Sequence, residues 1–201
     1  MTTVALFGGS FNPPHRAHER VVELILEQSM ADEVWILPAH EHPFGKALAP
    51  FGDRLAMCRV SFERFGARVR VLPLEAELGG VSYTARTLEE LRRRHPRHRF
   101  KLVVGSDVLD EQSHWKDFER IQELASLVVV PREGHPTQDP RALAIEPVAD
   151  ISSSEVRRRL AEGLTLGELV DPAVARYIAA HKLYRDDAPS RRDGSRGSES
   201  H

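Results

Sequence analysis

Gly8-Gly9-Ser10-Phe11-Asn12-Pro13-Pro14-His15-Arg16-Ala17-His18 separates the apolar run Val4–Phe7 from a stretch in which Val21, Val22, Ile25 and Leu26 recur at helical spacing. An apolar run, a glycine-bearing turn and an amphipathic segment open a strand–loop–helix unit. The alternation continues down the chain. Strands are expected at Val34–Leu37, Val69–Leu72, Phe100–Val104 and Leu127–Val130, with Leu55, Cys58, Phe62 and Phe65 on one intervening helix and Leu88 and Leu91 on another. Strands alternating with helices build a parallel sheet with crossover connections. Runs that are apolar at every position belong to strands covered on both faces. The chain therefore reads as an α/β protein whose parallel sheet lies between two helical layers.

Beyond Val130 the pattern changes. Pro131–Pro140 is a loop rich in proline and charge, and a short strand is expected near Ile145. Two helices then close the fold. One is capped by Ser152, Ser153 or Ser154 and buries Val156 and Leu160; the next starts near Pro172, whose fixed φ suits a first turn. Residues 1–185 are expected to form a single domain, with its C-terminal helical part at about 151–185. Asp186–His201 has almost nothing to bury and is expected to be a disordered tail.

The length of 201 residues suits one domain, at roughly 100–200 residues each. With 28 basic and 30 acidic residues the net charge is −2, which offers no electrostatic argument for binding nucleic acid or an anionic membrane. The lone cysteine, Cys58, cannot form an internal disulfide, and this fits a reducing, cytoplasmic compartment. Apolar runs such as Leu127–Val130 fall far short of the ~20 residues of a membrane span. Met1–Phe7 runs directly into a strand pattern with no basic segment before it, so no signal peptide is expected. Homo-oligomer formation is left open.

In an open parallel sheet, ligands bind outside the carboxyl ends of the strands, so a nucleotide is expected at the loop of residues 8–18. Gly8 and Gly9 let the backbone approach a phosphate without a Cβ in the way. His15 and His18, three residues apart, are expected on one face of the first helical turn. There they share the positive end of the helix dipole with the exposed N–H groups. Two imidazoles in that field suit an anionic, transferring phosphoryl group. Two plainer readings stand beside this one. A glycine pair can be only a turn, and His15 and His18 could ligate a metal with His40, His42 and Asp107. A helix N-terminus is a poor place for a dication, so no protein metal site is assigned. The G-x-G-x-x-G fingerprint is absent, and Gly45-Lys46 is followed by Ala47, without the hydroxyl of a Walker loop.

Gly9-Ser10-Phe11-Asn12-Pro13 with His15 and His18 resembles the G-[ST]-F-[DN]-P-x-H-x-G-H signature of the nucleotidyltransferase α/β-phosphodiesterase superfamily. Ala17 stands where that signature has its last glycine. About 140 residues further on, Ile151-Ser152-Ser153-Ser154-Glu155-Val156-Arg157 resembles the I-S-S-T-x-[IV]-R signature, with Ser154 keeping the threonine's hydroxyl. Serines at a helix start offer hydroxyl and N–H groups, and Arg157 brings a guanidinium able to grip phosphate through two bonds. Arg158 and Arg159 read as a solvated face. The middle of the chain resembles the bacterial nicotinate mononucleotide adenylyltransferases. The matching residues are Ser82-Tyr83-Thr84 with Thr87-Leu88, then Val104-Gly105-Ser106-Asp107 with Leu109 and Trp115, and finally Tyr177-Ile178 and Leu183-Tyr184. The likeness spans Val4 to Tyr184. Pro38–Lys46 departs from the family's loop, with Lys46 in the place of its lysine, and Asn12 stands where most bacterial relatives carry Asp.

The resemblance implies a Rossmann-like, doubly wound parallel sheet with a small C-terminal helical extension. It implies transfer of AMP from ATP to nicotinate mononucleotide, with magnesium accompanying the ATP. His18 would stabilise the α-phosphate, with His15 and Arg157 on the β- and γ-phosphates and Lys46 assisting. ATP would also meet Gly8, Gly9, Ser10, Phe11, Ile151, Ser152 and Ser153, and its ribose Gly105 and Asp107. Asn12, Lys46, Tyr83, Thr84 and Trp115 would hold the pyridine nucleotide, with Trp115 stacked on the ring. Three rival readings remain: the same fold using nicotinamide mononucleotide, phosphopantetheine or a small alcohol as acceptor; a non-catalytic nucleotide-binding module; and a metal-dependent hydrolase built on His15, His18, His40 and His42.

Overall fold

The structure, a computed structural model, describes residues 1–41, 47–107, 116–131, 137–143 and 151–185. Among these, five strands form one sheet: β1 (Thr3–Gly9), β2 (Glu33–Pro38), β3 (Val69–Val71), β4 (Arg99–Gly105) and β5 (Ser126–Val130), in the order β3-β2-β1-β4-β5. Every pair is parallel. All five expected strands are present. The chain winds outward from β1 to β3, then returns to the other side of β1 for β4 and β5, which makes the sheet doubly wound. The carboxyl ends of β1 and β4, at Gly9 and Gly105, flank the point where the winding reverses, the place where such sheets bind ligands.

The helices are α1 (Arg16–Glu27), α2 (Phe51–Phe62), α3 (Leu74–Leu78), α4 (Thr84–Arg94), α5 (Phe118–Leu124), α6 (Ser153–Ala161) and α7 (Pro172–His181). Successive strand residues point to opposite faces, and each face has its own core. Val4, Leu6, Trp35, Leu102 and Val129 pack with Leu88 and Leu91 of α4 and Ile121 of α5. Ala5, Ile36, Val103 and Val128 pack with Val22 and Ile25 of α1 and Cys58 and Phe62 of α2. Burial on both sides is why the strands read as unbroken apolar runs. Each fully buried large aliphatic side chain contributes about 1.5–3 kcal/mol relative to exposure.

The second helix differs from its expected pattern. Its buried residues are Arg54, Met57, Cys58, Ser61 and Phe62. Leu55 is only half-buried, and Phe65 falls on a following 3₁₀ segment, Glu63–Arg68. The reason is a third core, in which Met57 packs with Val156, Val170, Val174 and Ile178, so α2 is covered by the C-terminal helices as well as by the sheet. Ser152 caps α6 by accepting from Glu155 N at 3.2 Å, and Asp171 caps α7 by accepting from Ala173 N at 2.7 Å, with Pro172 in its first turn. Tyr177 of α7 donates its hydroxyl to Asp53 Oδ1 at 2.9 Å. The strand expected near Ile145 and the tail after Arg185 lie outside the described residues; Ala142 makes a bridge to Val129. No helix among the described residues is long and apolar enough to cross a membrane.

Candidate active site

The loop leaving β1 is anchored by Phe11. Its ring is 1% exposed and lies 5.5 Å from Phe7, 4.8 Å from His18 and 6.2 Å from Phe62. Its φ of 45° lies in the left-handed region, a strained choice for an aromatic residue that its packing holds in place. The following peptide, Asn12-Pro13, is cis. A Cβ on Gly9 would meet the Phe11 ring at 3.2 Å, whereas one on Gly8 would meet nothing within 4 Å. Gly9 is thus needed by the loop, and Gly8 borders open space at the strand end.

His15 does not lie inside the first turn as expected. It is the N-cap of α1, and His18 is the third helical residue. The two rings nevertheless stack, with centroids 3.7 Å apart. The His15 backbone N–H donates to His18 Nδ1 at 3.1 Å. A nitrogen that accepts carries no proton, so a neutral His18 holds its proton on Nε2. The capping bond therefore sets the tautomer of the residue for which the family resemblance implies a place at the α-phosphate.

The C-terminal motif closes directly onto this loop. Ser153 Oγ donates to Pro13 O at 2.8 Å, and Arg157 Nη1 donates to Asn12 O at 2.8 Å. Ser152 Oγ serves as the α6 cap, and Ile151 lies half-buried just before it. Arg158 and Arg159 pair instead with Glu155, and Arg158 also with Glu162, on the solvent side. The side chain of Asn12, 3% exposed, accepts at Oδ1 from Ala49 N at 3.0 Å and from the Tyr184 hydroxyl at 2.9 Å, and donates from Nδ2 to Ala47 O at 3.4 Å.

Arg54 was not foreseen. Its guanidinium, 1% exposed, donates to Ser10 O at 2.9 Å, Ala39 O at 2.7 Å, Ala49 O at 2.8 Å and His40 O at 3.2 Å. Burial pulls its pKa below the ordinary value, while Cys58 and Tyr184 oppose the shift; burial pushes the Cys58 thiol up. The available signal was position: Arg54, Met57, Cys58 and Ser61 share one helical stripe, and an arginine on such a stripe is a buried cation.

On the β2 side, Ser82 Oγ accepts from His40 N at 2.9 Å and Ser82 N donates to Glu41 O at 3.2 Å. This carries Tyr83 and Thr84 to the extension of β2. Tyr83 is 40% exposed, with the Lys116 ammonium 4.5 Å from its ring centroid. Gly105 ends β4 opposite Val130, Ser106 N donates to Val130 O at 2.9 Å, and Asp107 follows half-buried. His42, Lys46, Leu109 and Trp115 lie outside the described residues. Among the described residues no three His, Cys, Asp or Glu side chains converge as a metal site. The arrangement thus offers imidazole, guanidinium and backbone donors at the strand ends, a chemistry suited to anions.

Comparison with known proteins agrees with that chemistry. The cytidylyltransferase-like family model matches residues 6–159. A protein of Anaeromyxobacter dehalogenans (strain 2CP-C) named "Probable nicotinate-nucleotide adenylyltransferase" is 50% identical over 185 residues, covering 90% of this chain and 96% of that relative. The chain belongs to the nicotinate-nucleotide adenylyltransferases of the cytidylyltransferase-like family. A Myxococcus xanthus (strain DK1622) relative of the same name is 40% identical, covering 90% of this chain and 94% of its own length. The fold of this adenylyltransferase matches that of the Plasmodium falciparum nicotinic acid mononucleotide adenylyltransferase complexed with NaAD. The TM-score is 0.78 at 21% identity, covering 92% of this chain and 98% of that one.

Proposed function

We propose that this protein transfers the AMP moiety of ATP to the phosphate of nicotinate mononucleotide, releasing pyrophosphate and nicotinate adenine dinucleotide. The observation that carries the reading is the closure of Ser153 and Arg157 onto Pro13 and Asn12, which gathers cationic and N–H donors at the strand ends where the sheet reverses. The naming of relatives as similar as 50% identical supports the reaction and the acceptor.

In the proposed reaction an acceptor phosphate oxygen attacks the α-phosphorus in line, forming one P–O bond as the bond to the leaving pyrophosphate breaks. Such transfers depend on positioning and on neutralising charge. His18, through Nε2–H, stabilises the crowded α-phosphate, and His15, Arg157 and Lys46 act on the β- and γ-phosphates. The nucleotide lies over Gly8, Gly9, Ser10, Phe11, Ile151, Ser152 and Ser153, with Gly105 and Asp107 at its ribose. Tyr83, Thr84 and Trp115 hold the pyridine half, and Asn12, its side chain turned inward to Ala47, Ala49 and Tyr184, fixes the loop behind it. Magnesium takes oxygen ligands, and the donors around residues 8–18 and Arg157 suit phosphate oxygens instead, so the ion would come with the ATP and would supply further charge neutralisation. The residues act as one domain over 1–185, in a cytoplasmic location that fits the free thiol of Cys58.

The test is product identification. Incubation with ATP, magnesium and nicotinate mononucleotide should yield the dinucleotide, resolved by chromatography, in amounts equal to the pyrophosphate formed. ATP consumption without dinucleotide would reject the transfer.

A further inference from the structure

The two halves of the site meet in the interior, below the surface that substrates reach. Arg54 has three segments in its grip: the nucleotide loop through Ser10, the end of β2 through Ala39 and His40, and the approach to α2 through Ala49. All four acceptors are main-chain carbonyls, and no carboxylate pairs with Arg54 among the described residues. Burying a cation is costly unless its protons are all used. An apolar side chain could fill that space; what the guanidinium adds is a rigid planar fork that fixes the directions of several carbonyls at once. Asn12 repeats the link at its own level, joining the same nucleotide loop to Ala47 and Ala49.

We propose that Arg54 is a positioning residue of the transfer reaction: it never touches substrate, and it fixes the nucleotide loop relative to the acceptor-side loop. The proposal rests on the function proposed above, in which the first loop holds ATP, and Tyr83 and Thr84, tied to the end of β2 by the bond between His40 N and Ser82 Oγ, face the mononucleotide. In-line attack needs the two phosphates aligned, and a misplacement of about 1 Å costs on the order of 10²-fold in rate. Four bonds that all end on these two loops and on the approach to α2 set that alignment from behind. A lysine retains the charge but has no fork, so Arg54→Lys should behave more like Arg54→Met than like the native protein.

The experiment measures binding of three probes by calorimetry, together with kcat, for the native chain, Arg54→Lys and Arg54→Met. The probes are a non-hydrolysable ATP analogue, nicotinate mononucleotide, and nicotinate adenine dinucleotide, which spans both subsites. A ligand engaging two sites loses affinity steeply when their relation changes. We expect the dinucleotide Kd to rise by about tenfold or more and kcat to fall about 10²-fold, while each single-site ligand changes by less than about threefold. Leu91→Ala, in the α4 core, is the control: it should lower Tm and leave this pattern of affinities and kcat intact. If Arg54→Met does not fold, Arg54→Lys decides. Equal weakening of all three ligands, or an unchanged kcat, would overturn the proposal and leave Arg54 a stabilising residue only. A native protein that binds the mononucleotides and not the dinucleotide would overturn the functional reading itself, and the proposal with it.

Discussion

Arg157 and Asn12 are 145 residues apart in the chain, yet the guanidinium of one donates to the carbonyl of the other at 2.8 Å. The bond ties the C-terminal helices to the proposed nucleotide site, because α6 brings its first turn and its arginine to the loop that leaves β1. Hydrogen bonds to charged groups contribute about 1.5–3 kcal/mol, a factor of about 10 to 100. Arg157→Ala should therefore lower kcat/KM for ATP by that factor. Arg157→Lys should restore little, since a point charge cannot reproduce the fork. Steady-state kinetics over a range of ATP concentrations decides, and an unaltered ATP dependence in Arg157→Ala would remove the residue from the site.

His18 receives the His15 N–H on Nδ1, so in the proposed reaction a neutral His18 would serve as an Nε2–H donor. Removing one such donor costs about 10²–10³ in kcat. His18→Ala should show a loss of that size with a Tm close to native. A variant that retains near-normal turnover would take His18 out of the mechanism.

Much of this was legible locally. The five strands announced themselves as apolar runs, and Gly8, Gly9, His15 and His18 announced the loop, because strand period, glycine turns and helix starts depend on neighbours in sequence. The hydrogen-bonding of Asn12 with Ala49 and Tyr184 was not legible, nor was the burial of Arg54. Tyr184 lies 172 residues from Asn12, and no periodicity encodes a pair at that separation. Leu55 misled for the same reason: the helices that cover the Met57 side of α2 come from the far end of the chain.

Leu88 is fully buried under the sheet on α4, in a different core from the residues that pack against the loop of residues 8–18. Leu88→Ala should destabilise the fold by about 2–5 kcal/mol through lost burial and a residual cavity. Urea denaturation measures it. Turnover at low temperature should stay near native, and a shift under 1 kcal/mol would contradict the packing described.

Acid should weaken the surface ion pairs before it reaches the core. Hydrogen bonds from Arg93 and Arg94 hold Glu90 at about 2, and those from Arg158 and Arg159 hold Glu155 at about 2, well below the usual carboxylate range. A folded-state value lowered from 4.5 stabilises above about 4.5 and loses that contribution as pH falls toward 2. Both glutamates lie half-buried at the surface, so the effect is modest and screened by salt. Tm followed from pH 5 to 2 should fall less steeply in Glu155→Gln than in the native chain; identical slopes would contradict the assignment.

Chelation separates the proposed role of magnesium from that of a resident metal. With the ion held by the ATP phosphates, excess chelator should abolish turnover, leave Tm unchanged, and be reversed by added magnesium. A stoichiometric, tightly bound zinc ion in the purified protein would instead revive a hydrolase built on His15, His18, His40 and His42.

The most direct test of the central claim is pyrophosphate release from ATP and magnesium with nicotinate mononucleotide, nicotinamide mononucleotide or phosphopantetheine as the sole acceptor, run in parallel. The account predicts the highest kcat/KM with nicotinate mononucleotide. Faster release with either of the others, or release with none, would contradict it.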